Sequence, residues 1–426
     1  MKVLKLIGLM GVMVVFFSCN TTENNFEETQ SKTPVKAQDF ERASYKRRPP
    51  RNIPRYSNTE LIVQFRPGLT DLQKNGLREQ YGVLAHRACA MCLDGEIEKW
   101  FFEEGIDIEH KSLGIQSGSG GPEGEIIDVD YEFNFTMEFE DQAVVDGVPT
   151  HDYLTRIVPS NTGVTIAVLD TGINSNFPAF EAKFLYNAST DNILGEPSGW
   201  DFVNEDPDFN DDYWLVHGSA VSYIVNNHLR ANEIPHQLLP VKVCDANGVA
   251  SYFNILCGLN YALTRAQIVQ MSLGWYDDGS GEGVNTIFSN LLSKYEKKVL
   301  VVTSAGNSTI NNDAYDHYPS SYPQDNVLAI AAATKLKDNI TDFSNYGTNS
   351  VDFFAVGEDV EFYDMDMLPV PMSGTSFAAP FVAAKAAEAW YNVGMTYTPA
   401  ELVEYLRVNG TPVVYDKSVQ YNRLIE

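Results

Sequence analysis

The sequence predicts an α/β protein with a parallel sheet covered by helices on both faces, preceded by a small α/β unit. From residue 164 onward, short and continuously apolar runs alternate with segments of helical periodicity. Strands without polar alternation are buried on both faces, which is typical of a parallel sheet. The predicted strands are 164–169, 238–243, 268–273, 299–303 and 327–332. The predicted helices follow His217, Tyr252, Val284, Ser376 and Pro399.

The small unit is predicted over residues 59–140. Its expected elements are strands at 61–65, 97–102 and 129–139, and helices that begin near Thr70 and Ile106. Thr70 and Gln73 form the pattern of a capping box. Residues 129–139 alternate between apolar and polar side chains, which predicts a strand with one buried face and one acidic face in water. Strands flanking two helices in about eighty residues resemble a ferredoxin-like fold, which is marginally stable alone.

The N-terminus has the composition of an export signal. Lys2 and Lys5 precede an uncharged run at 6–18 that suits a signal peptide but is too short to span a bilayer. Phe17-Ser18-Cys19 resembles the cleavage box of bacterial lipoproteins, which implies a signal peptide over 1–18 and lipidation of Cys19 in the cell envelope. An ordinary signal peptide with an incidental cysteine is the alternative. Residues 19–58 are polar and predict a tether.

Charge and cysteine content exclude several classes of function. The formal net charge is −27, and so acidic a protein repels phosphate backbones, which excludes a nucleic-acid partner. Cys89 and Cys92 form a single CxxC, so a zinc site lacks half its ligands. A local disulfide and two free thiols remain the alternatives. Cys244 and Cys257 are predicted to be buried small apolar residues, and no metal site is predicted among the cysteines.

Four polar motifs follow predicted strands or begin predicted helices. Asp170 ends the first strand of the parallel sheet, where a carboxylate needs a cation or hydrogen-bond donor beside it. His217 begins a helix, Asn307 follows the strand at 299–303, and Ser376 lies at a helix N-terminus, where unpaired N–H groups favour an oxyanion. In parallel sheets, functional groups gather at the carboxyl ends of strands.

The order and spacing of these motifs resemble the subtilisin-like serine proteases, with a catalytic domain over 141–426. The resemblance implies that Ser376 attacks the scissile carbonyl, His217 accepts its proton and Asp170 fixes the imidazole. It also implies that Asn307 and the Ser376 N–H hold the oxyanion. The expected protein is a secreted, lipid-anchored serine endopeptidase that acts on proteins or peptides and requires no cofactor. The sequence does not indicate an oligomeric state.

The resemblance also assigns substrate contacts. One predicted peptide-binding strand contains Ser272, Leu273 and Gly274, and the strand on the peptide's other side contains Gly248, Val249 and Ala250, so substrate adds as a β-strand. Tyr318-Pro319 resembles the family's cis-proline turn beside the primary specificity pocket. The sequence departs from the family pattern at Val216, Ser219 and Tyr223. These departures are expected to affect the position and packing of the helix that begins at His217. Trp275 and His317 are expected to narrow the primary pocket.

Residues 59–140 resemble the inhibitory propeptides of this family, which implies self-cleavage between about residues 135 and 153. In this interpretation, the carboxylates of the alternating strand are expected to cap helix N-termini of the catalytic domain. A permanent accessory domain is the alternative.

The loop before His217 is a candidate Ca²⁺ site because hard cations prefer clustered oxygen ligands. A solvated loop is the alternative. The acidic residues of this loop are Glu205, Asp206, Asp208, Asp211 and Asp212.

The sequence excludes one other function for the whole chain and leaves two alternatives open. An aspartic protease is excluded because a second Asp-Thr/Ser-Gly and an all-β context are both missing from the sequence. A catalytically silent binding lipoprotein would keep the fold without the chemistry. An acyl-transfer peptide ligase would pass the acyl-enzyme to an amine, which requires a lid that excludes water.

Overall fold

The computed structural model describes residues 55–92, 95–119, 124–137, 163–174, 177, 184–188, 195–277, 285–364 and 366–426. The predicted signal peptide, Cys19, most of the tether and most of the predicted cleavage window lie outside the described residues. The chain from Pro50 to Glu426 packs as one unit. Within the described ranges, no helix is long and apolar enough to cross a membrane.

The N-terminal unit, residues 55–137, has two helices on a four-stranded antiparallel sheet. Its elements are β1 (Arg55–Phe65), α1 (Asp71–Gln80), β2 (Ala85–Ala88), β3 (Ile97–Phe101), α2 (Ile108–Ser119) and β4 (Ile126–Thr136). The strand order is β2-β3-β1-β4, which is the ferredoxin-like arrangement. Thr70 and Gln73 form the predicted capping box at α1.

The catalytic region, residues 163–426, alternates strands and helices. Its first half contains β5 (Val164–Asp170), β6 (Trp200–Asp201), α3 (His217–Ala231), β7 (His236–Lys242), β8 (Val249–Ser251), α4 (Tyr252–Leu263), β9 (Ile268–Met271) and β10 (Trp275–Tyr276). Its second half contains α5 (Thr286–Tyr295), β11 (Leu300–Ser304), β12 (His317–Tyr318), β13 (Val327–Ala333), β14 (Phe353–Val356), β15 (Val360–Tyr363), β16 (Pro369–Met372), α6 (Thr375–Asn392), α7 (Pro399–Asn409), β17 (Thr411–Pro412) and β18 (Arg423–Leu424).

A nine-stranded sheet organises the catalytic region in the order β17-β18-β14-β13-β11-β9-β5-β7-β6. Its strand pairs are parallel, except for β17 with β18. Alternate residues of β11 enter different cores: Val301 packs with α4 and α5, whereas Leu300 and Val302 pack with α3 and α6. Both faces of the sheet are therefore covered, which confirms the predicted fold class.

The sheet of the N-terminal unit continues into the catalytic region. Residues 134–136 pair antiparallel with β8, so the sheet has the order β2-β3-β1-β4-β8. The Met137 N–H donates to the Gly248 carbonyl at 2.9 Å. An extended segment therefore already adds as a strand to the edge that contains Gly248, Val249 and Ala250.

The acidic face of β4 packs against the catalytic region at Asp130 and Glu132, so the prediction that it lies in water was wrong at these residues, whereas the prediction that its carboxylates cap helix N-termini is confirmed. Asp130 and Glu132 are 4% and 3% exposed. Asp130 accepts hydrogen bonds from the Thr286 and Ile287 N–H groups at the start of α5, each at 3.0 Å. Glu132 accepts one from the Phe253 N–H at the start of α4, at 3.1 Å. These carboxyls cap two helices of the catalytic region, and burial raises the pKa of each to about 7.

Candidate active site

Asp170 and His217 meet where β5 ends and α3 begins. Both side chains are buried, and His217 Nδ1 lies 2.7 Å from Asp170 Oδ1. Because a carboxylate oxygen accepts, Nδ1 carries the proton of this hydrogen bond, and Nε2 is the basic nitrogen of the neutral ring. Asp170 Oδ1 also accepts the Thr171 N–H at 2.8 Å, so the carboxylate that orients the imidazole is itself held in place.

The N-terminus of α6 lies beside this pair. Ser376 is the second residue of α6, and its Oγ donates to the Ser272 carbonyl at 3.4 Å. The ring of Phe377 lies 5.3 Å from the His217 ring. The start of α6, which contains Ser376, therefore lies next to the imidazole.

Asn307 is held in one amide orientation. Its Oδ1 accepts the N–H and the Oγ1–H of Thr375, at 2.9 and 2.8 Å. With the oxygen engaged twice, the amide Nδ2 is the end left to donate, and Asn307 lines the same cavity as Ser376. An amide oriented in this way can donate a hydrogen bond to a negatively charged oxygen in the cavity. Sequence reasoning found Asn307 but missed Thr375, which orients it.

Residues 161–418 match the model of the subtilase family. The chain belongs to this family. It is similar to the thermophilic serine proteinase of Bacillus sp. (strain AK1), with 29% identity over 86% of this chain and 87% of the relative. It is also similar to thermitase of Thermoactinomyces vulgaris, with 30% identity over 54% of this chain and 75% of the relative. A solved structure, that of a cold adapted subtilisin-like serine proteinase, aligns with a TM-score of 0.50 and 25% identity, covering 65% of this chain and 93% of that one. This subtilase is a serine-type endopeptidase, as the sequence predicts.

The start of α3 is fixed by contacts that the sequence analysis missed. The Gly218 N–H donates to Thr171 Oγ1 at 2.9 Å. The Ser219 N–H and Oγ–H donate to Asp211 Oδ2 at 2.9 and 2.7 Å. A β-carbon on Gly218 would lie 2.2 Å from the Gly172 carbonyl oxygen, so only glycine permits this approach. Asp211 thus caps the helix that presents His217.

The departures from the family pattern have local explanations in this subtilase. Val216, the N-cap of α3, has φ 45° and ψ 44°. A β-branched residue is strained in this left-handed region by about 1–3 kcal/mol, whereas glycine is not. The ring of Tyr223 packs against Phe362 of β15 at 5.7 Å, so the hairpin of β15 and β16 accommodates the larger side chain.

The acidic loop before α3 directs its carboxylates to different partners. Glu205 pairs with Arg87 of the N-terminal unit at 2.5 Å, and Asp212 pairs with Lys242 at 2.6 Å, while Asp211 caps α3. Among the described residues, the carboxylates of this loop do not gather as one ligand group. They do not fit the shared oxygen cage that Ca²⁺ needs, and the calcium site stays an untested prediction.

His317 forms part of the cavity beside Ser376. That cavity has a volume of about 30 Å³ with Met137 in place, and Ser272, Leu273 and Gly274 line it as predicted. A β-carbon on Gly274 would lie 2.4 Å from His317 Cε1, so the His317 ring packs directly against the backbone of Gly274. The Tyr318–Pro319 peptide bond is cis, as the resemblance implies.

The His317 ring is neutral. Ser320 Oγ donates to the His317 carbonyl at 2.7 Å and lies 2.8 Å from Nδ1. Since the hydroxyl proton is already used, Nδ1 donates and Nε2 is the acceptor. Burial lowers the pKa of His317 to about 3. The ring therefore narrows the pocket without adding charge.

Trp275 does not narrow this cavity, contrary to the sequence prediction. Trp275 is absent from the residues that line it. Its ring packs instead against Phe133 and Phe135 of β4, at 5.4 and 5.5 Å. Trp275 therefore belongs to the surface that receives the N-terminal unit.

We expect His317→Gly to widen the primary pocket. Two substrates are compared, one with phenylalanine and one with alanine before the scissile bond. Removing the ring should raise the ratio of their kcat/KM values, phenylalanine over alanine, by about 10- to 100-fold. Two matched fluorogenic peptides measure the ratio. His228→Ala is the control, because His228 pairs with Glu388 of α6 and does not line the cavity. An unchanged ratio in His317→Gly would show that the ring does not set specificity.

Proposed function

We propose that Ser376, His217 and Asp170 hydrolyse peptide bonds through an acyl-enzyme. His217 Nε2 accepts the Ser376 proton as the hydroxyl attacks the scissile carbonyl, and then passes it to the leaving amine. Asp170 stabilises the imidazolium that forms in between. The observation that carries this proposal is the 2.7 Å contact between His217 and Asp170 beside a serine at a helix N-terminus.

The oxyanion is stabilised by two donors in this proposal. The Asn307 amide and the Ser376 N–H act on the charge that develops in the transition state, where water is excluded. The substrate binds as an added strand between two segments of the catalytic region: Ser272, Leu273 and Gly274 on one side, and Gly248, Val249 and Ala250 on the other. The pairing of β4 with β8 supports this mode, because an extended segment meets the second edge with main-chain hydrogen bonds.

We further propose that the N-terminal unit, with residues up to about 140, is an inhibitory propeptide. Three features support this function. Its C-terminal strand adds to β8, Met137 lines the cavity that contains Ser376, and Asp130 and Glu132 cap α5 and α4. A substrate strand would need the same edge, so the bound unit blocks access.

Self-processing tests the propeptide proposal. We expect wild type, purified and sized by mass spectrometry, to yield a fragment that begins between about residues 136 and 153, because Met137, which follows β4, lines the cavity that contains Ser376. The Ser376→Ala chain should stay at full length. If wild type hydrolyses added peptides but is never cut, self-processing is wrong.

We also propose that the protease is exported and anchored by lipid on Cys19 to the membrane of a bacterial cell envelope. The support is the sequence of residues 1–19. A short apolar run after two lysines directs export, and a small residue before Cys19 suits lipoprotein cleavage. Because one anchor and a polar tether suffice for attachment, no membrane-spanning helix is needed.

A further inference from the structure

Three sulfur atoms meet at the boundary between the N-terminal unit and the catalytic region. Cys89 and Cys92 of the N-terminal unit form a disulfide, and Cys257 of α4 is a free thiol. All three sulfur atoms lie within 4.8 Å of one another. Their residues are 4%, 8% and 2% exposed. With two sulfurs bonded to each other, the cluster is a disulfide with a buried thiol against it, and it offers a metal only one thiolate.

A thiolate beside a disulfide is arranged for thiol–disulfide exchange. We propose that Cys257 exchanges with the Cys89–Cys92 disulfide and so links the catalytic region covalently to the N-terminal unit. Cys257 loses its proton, and its Sγ bonds to one sulfur of the pair. The other sulfur leaves as a thiolate and takes up a proton. One disulfide and one thiol are present before and after, so no oxidant or reductant is consumed.

The surroundings of Cys257 set the rate of this exchange. Burial raises the pKa of the thiol well above its ordinary value; Glu132 and Glu205 act in the same direction, while Arg87 and Lys99 oppose them. The thiolate is therefore scarce at neutral pH, and thiolate is the attacking species. Below the pKa of the thiol, the exchange rate rises about tenfold per pH unit.

The bond would keep the N-terminal unit in place independently of the peptide backbone. This consequence rests on the proposed function: after a cut beyond Met137, the unit would stay attached to α4 until a thiol reductant opened the new disulfide. Cys244 is the other free cysteine among the described residues and is also buried, but it lies outside the three-sulfur cluster. It therefore provides a matched control.

Disulfide mapping on the full-length Ser376→Ala chain tests the exchange. The protein is incubated without reductant at pH 7, 8 and 9, quenched in acid, alkylated under denaturing conditions and digested. We expect a peptide in which Cys257 is joined to Cys89 or Cys92, formed about tenfold faster per pH unit. Cys244→Ser should retain this peptide, and Cys257→Ser should lose it. If Cys257 is alkylated in every molecule at every pH, the proposal is overturned.

This measurement is separate from self-processing because the Ser376→Ala chain is not expected to be cut. In wild type, the two proposals together predict a processed chain that keeps its full mass on a non-reducing gel and divides into two fragments after dithiothreitol. A linked peptide without any cleavage would remove the propeptide proposal and keep the exchange. Cleavage into separate fragments, with no linked peptide in either protein, would keep the propeptide proposal and remove the exchange.

Discussion

Ser376→Ala is expected to lower kcat by about 10⁶, and His217→Ala by a similar factor. The magnitude is that of subtilisin itself and is carried over to this family member. Without the hydroxyl there is no acyl-enzyme, and without the imidazole nothing accepts the hydroxyl proton. Because the two groups act as one unit, the double variant should be no slower than either single variant. Hydrolysis of a fluorogenic peptide by folded protein measures the loss.

Ser373→Ala is the matched control for Ser376→Ala. Ser373 lies three residues earlier, and its Oγ accepts the Asp359 N–H at 3.0 Å. It should keep its activity and its reaction with a fluorophosphonate probe, whereas Ser376→Ala should lose both. Undiminished hydrolysis by Ser376→Ala would disprove the assigned nucleophile. A wild-type protein that fails to react with the probe would instead favour a silent binding lipoprotein.

Asp170→Ala is expected to lower kcat by roughly 10⁴, with a smaller effect on KM. The carboxylate accepts from His217 Nδ1 at 2.7 Å in a fully buried site. Its removal frees the imidazole to adopt the wrong tautomer and leaves the imidazolium without a counter-charge. The residual rate should come from the oxyanion donors and substrate binding.

Asp208→Asn is the control for Asp170→Ala because it changes a carboxylate in the loop before α3 that does not touch the imidazole. Its kcat should match wild type. If Asp170→Ala does not fold, there is no enzyme to assay. Asp170→Asn, which keeps the size and shape of the side chain, is therefore measured beside it. If Asp170→Asn retains more than about a tenth of wild-type kcat, the carboxylate does not have the proposed role.

The centre of the catalytic sheet could be predicted from sequence, and its edges could not. The five predicted strands are β5, β7, β9, β11 and β13, which are contiguous in the sheet. Their long apolar runs reflect burial on both faces. The missed strands are β14, which has four residues, and β6, β17 and β18, which have two residues each. So short a segment has no periodicity to detect.

The chemical groups assigned to the site follow from a family pattern, whereas the residues that hold them in place have no such pattern. Thr375 and Asp211 orient Asn307 and α3 through contacts that have no local sequence signature. Alternation reports only that the two faces of β4 differ, so the capping contacts of its acidic face follow from the resemblance to a propeptide and not from the pattern itself. Asp130 is covered by Thr286, which lies 156 residues away in the chain. The contact of Cys257 with the N-terminal disulfide depends on the same long-range packing.

The pairing of β4 with β8 makes inhibition depend on the continuity of the chain. In the intact chain, residues 134–136 are an intramolecular ligand of β8, and tethered ligands act at effective concentrations of the order of millimolar. A dilute peptide competes poorly with such a ligand. Once the backbone is cut and no second bond remains, occupancy of β8 follows mass action and falls with the concentration of the protein. In the proposed propeptide function, dilution then opens the edge, so the activity of the cut protease rises as its concentration falls.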